Sequence, residues 1–123
     1  MPRRIGLTVD QWPNEDRASW ERSSTSTDVF DTVAIAARWR QKSRDQARYA
    51  YGRWLAYLLQ HEPSTLHSPA AARVTPERLQ GYLTQLEERV STMSVAAELQ
   101  HLALALRAMA PGEDWAWLRR RQY

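Results

Sequence analysis

From residue 43 onward, apolar positions recur at helical spacing. Ala47, Tyr51, Trp54, Leu55 and Leu58 fall on one face of a helix. The pattern predicts a helix that opens at Ser43 and fades near His61-Glu62-Pro63. Ser43 and Gln46 match a capping box, in which each side chain satisfies a free N–H at the helix start. Pro63 to Pro69 reads as a connection. A second stripe follows in Leu79, Tyr82, Leu83, Leu86 and Val90. It is announced by Thr75-Pro76-Glu77, with an N-cap, a proline at the first helical position and an acid in the first turn. A third stripe runs through Val95, Leu99, Leu102, Leu106 and Met109, with Ser91 or Ser94 as its cap and Pro111-Gly112 as its stop. Asp114 can cap a last short helix carrying Trp115, Trp117 and Leu118.

Ahead of Ser43 the pattern is weaker. Trp12-Pro13 suits a first helical turn, and Asn14 to Arg22 can continue it with Trp20 on the apolar side. Ser23-Ser24-Thr25-Ser26-Thr27 reads as a loop. Residues 28–40 are apolar enough to pack but show little periodicity. No segment alternates with period two, and the chain has only 4 glycines. The expected architecture is therefore all-α, a bundle of four to five short helices. It forms one domain over residues 1–123, with 1–37 as a less regular lead-in and 119–123 as a basic tail.

Composition narrows this picture without changing it. A length of 123 residues suits one modest core, and 43% hydrophobic residues indicate a globular chain. There are no cysteines, which excludes disulfides and thiolate metal sites. The start, MPRRIGLTVD, lacks the apolar run of a signal peptide, and no stretch reaches the roughly 20 apolar residues of a membrane span. A cytoplasmic protein without membrane contact is expected. The 6 Trp and 5 Tyr suit a core that meets an interface. The net charge is only +3, so the placement of charge matters more than its sum.

Arg38, Arg40, Lys42, Arg44 and Arg48 crowd into eleven residues that hold one acid, Asp45. Arg44 and Arg48 are neighbours beside the apolar stripe, at a helix start whose free N–H groups favour phosphate. The same pattern suits a solvated face whose arginine stems cover the core edge. Arg119, Arg120 and Arg121 form a second cluster next to Trp115 and Trp117. That cluster can follow a nucleic-acid backbone or serve as a solubilising tail. Opposite the third stripe, Ala97, Leu104 and Ala108 make a second apolar face, which calls for another helix to cover it, within the chain in preference to a partner. Catalytic signals are missing. His61, His67 and His101 have no paired metal spacing, and there is no glycine-rich phosphate loop, since Gly52 and Gly81 fall inside helical patterns.

Several segments together resemble the N-terminal core-binding domain of tyrosine recombinases of the phage-integrase family. They are the Tyr51-Gly52-Arg53-Trp54-Leu55-Ala56-Tyr57-Leu58 run, Arg73-Val74-Thr75-Pro76-Glu77-Arg78-Leu79 followed by Tyr82-Leu83 and Leu86, and Ser94 through Leu106-Arg107-Ala108-Met109-Ala110-Pro111. The ending Asp114-Trp115-Ala116-Trp117-Leu118 and the lead-in of Trp12-Pro13 with Asp16-Arg17 and Trp20 are similar too. The resemblance covers nearly the whole chain and rests on the order and spacing of these segments.

This resemblance implies a SAM-like helical bundle that forms half of a clamp around duplex DNA. It implies no cofactor, no metal and no catalytic residue in this chain, because the family's strand-transferase residues belong to a C-terminal domain. Tyr123, at the end of a basic tail, has no catalytic surroundings. The partners implied are duplex DNA and a recombinase catalytic domain or other recombinase subunits, with the isolated chain monomeric. Carried over residue by residue, the first contact helix offers Lys42, Arg44, Gln46, Arg48 and Tyr49. Thr92 and Ser94 offer phosphate contacts at a second helix start, and Arg119 to Arg121 add the tail. Arg and Gln can read guanine and adenine edges. The chain departs from the family pattern at Met93, Ala96, Ala97 and Glu98, where Glu98 is expected to repel phosphate or accept from a cytosine amine. The alternative expectation is a protein-interaction module that uses the Trp-rich end and the Leu104 face.

Overall fold

The computed structural model describes residues 6–25 and 40–119, and every regular element in them is helical. The four longer helices are α1 (Asn14–Thr25), α2 (Gln41–His61), α4 (Pro76–Glu87) and α5 (Thr92–Met109). Two single-turn helices join them, α3 (Ala70–Arg73) and α6 (Ala116–Arg119). Short 3-10 turns occupy Val9–Gln11 and Pro63–His67, the second being the expected connection. The all-α bundle expected from the sequence is the observed architecture.

α5 organises the bundle. It packs along α2 over the longest contact, and also touches α1, α4 and α6. This explains its two apolar faces. Val95, Leu99, Leu102, Leu106 and Met109 are buried as expected, and Ala103, Ala105 and Ala108 are buried on its other sides. Leu104 packs against the core from the edge, while Ala97 stays exposed. The second face is thus covered largely within the chain. The α2 stripe of Ala47, Tyr51, Trp54, Leu55 and Leu58 is fully buried, and Leu79, Tyr82, Leu83 and Leu86 of α4 complete the core.

Local chemistry fixes most boundaries as read. The Thr75 hydroxyl accepts from the Arg78 N–H, and Pro76 opens α4. Ser91 is the cap of α5 and accepts from the Ser94 N–H at 3.2 Å. The Asp114 carboxylate accepts from the Ala116 N–H at 2.9 Å ahead of α6. Three boundaries differ. α2 begins at Gln41, two residues before the expected Ser43, with Arg40 in extended conformation as its N-cap and the Arg40 carbonyl accepting from the Arg44 N–H. Ser43 therefore lies inside the first turn, and the Arg40 side chain makes no cap bond. α1 continues through Ser23 and Ser24, expected as loop, and both hydroxyls donate to the Trp20 carbonyl at 2.8 Å inside its last turn, so they do not leave the helix for a competing turn. Val90 lies past the end of α4 and is exposed, so it leaves the apolar stripe.

The lead-in is held down by a notch in α2. The Leu7 N–H donates to the Gly52 carbonyl at 3.0 Å, and the Leu7 carbonyl accepts from the Trp12 indole at 3.1 Å. A Cβ at Gly52 would come within 2.2 Å of that same Leu7 carbonyl, so only glycine lets the strap lie this close.

Candidate nucleic-acid interface

The start of α2 is basic and uncapped. Its first turn holds no acidic residue and its N-cap makes no side-chain bond, so free N–H groups and the helix dipole present partial positive charge there. Arg40 and Lys42 are exposed, and Arg44, Gln46 and Arg48 are partly exposed. Tyr49 is 40% exposed, with the Arg48 guanidinium 4.5 Å over its ring.

The structure ties several of these side chains together. Arg44 donates to the Gln41 amide oxygen at 2.7 Å, and the Gln41 amide nitrogen donates to Asp45 at 2.8 Å. Asp45 also accepts from Arg48 at 2.9 Å. Arg48 foremost, and then Gln41, hold the Asp45 carboxyl below the usual carboxylate range. One carboxylate thus neutralises part of a row of cations. The row keeps its arginine forks close to the helix start, where two or three could engage successive phosphates.

Thr92 and Ser94 are exposed at the start of α5, beside Met93, which is 81% exposed. The Ser94 N–H is already held by Ser91. Among the described residues no hydrogen bond joins Thr92 or Ser94 to the α2 cluster. Arg38, Arg120 and Arg121 lie outside the described residues, as does the side chain of Arg119.

Glu98 has a different role from the one expected. It accepts from Arg53 through both oxygens, each at 2.7 Å, and from the Tyr82 hydroxyl at 2.8 Å. These bonds tie α5 to α2 and α4 and set the Glu98 charge beside the Arg53 guanidinium. The Trp-rich end is packed on the core, with Trp117 partly exposed. Trp115 is buried, with its indole donating to the Ala110 carbonyl at 2.9 Å, and Leu118 is buried beside it.

Sequence reasoning missed a second buried polar centre. Asp16 accepts from the Tyr51 hydroxyl and from the Arg73 guanidinium, the latter at 3.0 Å through Nη2. Arg73 also donates to the carbonyls of Thr65 and Leu66 at 2.8 and 3.0 Å. All three polar side chains are nearly sealed from solvent. The one available signal was spacing, since Asp16 stands one helical turn before Trp20 and so shares its face of α1.

No protein family, no characterised protein and no solved structure matches this chain in sequence or fold comparison. Among the described residues no group of three or more His, Asp or Glu could hold a metal ion, and no helix is long and apolar enough to cross a membrane.

Proposed function

We propose that this chain is a DNA-gripping module of the kind found in tyrosine recombinases, with a SAM-like bundle that holds duplex DNA and leaves strand cleavage to another domain. The observation that carries the reading is the uncapped, acid-free start of α2, with Arg40 and Lys42 exposed and Arg44 and Arg48 beside them. The positive end of the helix dipole and a row of cations lie together there, the combination that grips phosphate. With Gln46 and Tyr49 on the same helix, limited groove contact accompanies backbone contact. Thr92 and Ser94 are candidate phosphate contacts at a second helix start.

The reading is tested by fluorescence anisotropy on random-sequence duplex DNA across a salt series. Binding at low salt that weakens steeply with salt is expected, because phosphate neutralisation releases counterions. Arg44→Ala with Arg48→Ala should weaken it while the helical circular dichroism stays unchanged. Absence of binding at low salt, or binding indifferent to both substitutions, overturns the proposal.

A further inference from the structure

A groove of about 100 Å³ opens between the second half of α2 and the second half of α4. It lies far from the basic helix start, since the thirteen residues from Arg44 to Tyr57 span about 20 Å of helix. Its polar wall is formed by Arg53, Tyr57, Gln60, Gln85 and Arg89, and its apolar wall by Ala56 and Leu86.

Much of this wall is chemically unspent. Arg89 makes no ion pair or hydrogen bond among the described residues. Arg53 gives Nε and Nη2 to Glu98, leaving Nη1 with its two protons. The Tyr57 hydroxyl has no hydrogen-bond partner among the described residues and lies against Gly81, where a Cβ would come within 2.5 Å of it. Beneath the groove, Trp54 stacks on Tyr57 and meets Tyr82 edge-on. Among the described residues its buried indole N–H has no hydrogen-bond partner, the kind of orphan that calls for an explanation.

We propose that this groove binds a small carboxylate with a short alkyl chain. The sign of the charge follows from the cations. Glu98 balances Arg53, so Arg89 leaves the lining net positive. A guanidinium fork matches the two oxygens of a carboxylate. Size sets the upper limit, because a cavity of about 150 Å³ is what benzene fills. Ala56 and Leu86 give an alkyl chain an apolar wall, which a hydrated inorganic anion would not use. The site stands independently of DNA binding.

The test is a titration of the folded chain with sodium butyrate, followed by the tryptophan indole N–H and glutamine side-chain signals in 1H–15N spectra. Sodium chloride and sodium phosphate at matched ionic strength and pH are the controls. Butyrate should shift the Trp54 indole and the Gln60 and Gln85 amides saturably at millimolar concentration. Arg89→Gln, an exposed substitution that leaves the fold intact, should weaken binding by about tenfold or more. Tyr57→Phe, which removes a hydroxyl without a hydrogen-bond partner among the described residues, should weaken it less. A linear response like that of chloride, an equal saturable response to phosphate, or an unchanged affinity in Arg89→Gln overturns the proposal.

Discussion

Asp45 decides how much of the α2 cation row is available to an anion. It accepts from both Gln41 and Arg48, and Gln41 in turn holds Arg44. Asp45→Asn keeps the shape, removes the competing charge and loosens the hold on Arg48. In the proposed function it should tighten duplex DNA binding several-fold at low salt, read by anisotropy. Lys42→Ala should act in the other direction and reduce the salt slope by about 0.9, the share of one phosphate contact. An unchanged affinity in Asp45→Asn would mean that Arg48 does not face DNA. Asp16 is the opposite kind of acid. It is buried against Arg73 and Tyr51, and leaving that guanidinium without its carboxylate should cost about 3–5 kcal/mol. Asp16→Asn should therefore lower the urea midpoint markedly with little change in m-value. Asp45 was legible in the sequence as the one acid in a basic run. The partners of Asp16 and Glu98 were not, because Arg73 stands 57 residues from Asp16 and Arg53 stands 45 from Glu98. Only the tertiary fold brings such pairs together.

At the scale of elements, the signals that could be read were those contained within one turn. Thr75, Ser91 and Asp114 cap the helices they precede, because each bonds an N–H two or three residues away. The start of α2 was misplaced for the same reason. Ser43 and Gln46 look like a capping box, yet the extended backbone of Arg40 starts the helix earlier and makes their capping role redundant. Contacts between helices left only glycines as traces. Gly81 admits the Tyr57 hydroxyl, whereas the next nearest atom to a Cβ there is the Tyr57 ring carbon at 3.7 Å, an ordinary contact. Gly81→Ala alone must push Tyr57 aside, which offsets the gain in helix propensity. Gly81→Ala combined with Tyr57→Phe should be more stable than either the single glycine variant or the parent chain, by about 1 kcal/mol in the latter comparison. Denaturant melts of the four proteins complete the cycle, and an equal gain from Gly81→Ala in both backgrounds would show that the hydroxyl is no obstacle. Gly52→Ala should differ, because its obstacle is the Leu7 backbone. The strap should lift, seen as faster hydrogen exchange at the Leu7 amide and the Trp12 indole.

Across the whole molecule, α5 is the element on which α1, α2, α4 and α6 converge, and its two apolar faces announced that role in the sequence. What could not be read was the way polar centres lock the convergence. Tyr51 joins α2 to α1 through Asp16, and Tyr82 joins α4 to α5 through Glu98. Both hydroxyls have pKa values raised well above the ordinary 10.0, through burial first and then through the adjacent carboxylate. The fold therefore holds both tyrosines neutral, while the unfolded chain releases their protons as pH passes 10.0. Below that value the two states bind the same protons at these sites, and stability is indifferent to them. Above it the unfolded state binds fewer protons, so stability falls as pH rises, by about 1.4 kcal/mol per pH unit for each tyrosine. Urea midpoints measured upward from neutral pH should hold level in this respect and then drop above 10.0. Tyr82→Phe should remove about half of that slope, at the cost of the bond to Glu98. Tyrosinate absorbance from Tyr51 and Tyr82 should rise only together with the loss of the helical signal. If Tyr51 and Tyr82 ionise while the helical signal is intact, the two locks open to solvent without unfolding, and the convergence on α5 is held by apolar packing alone.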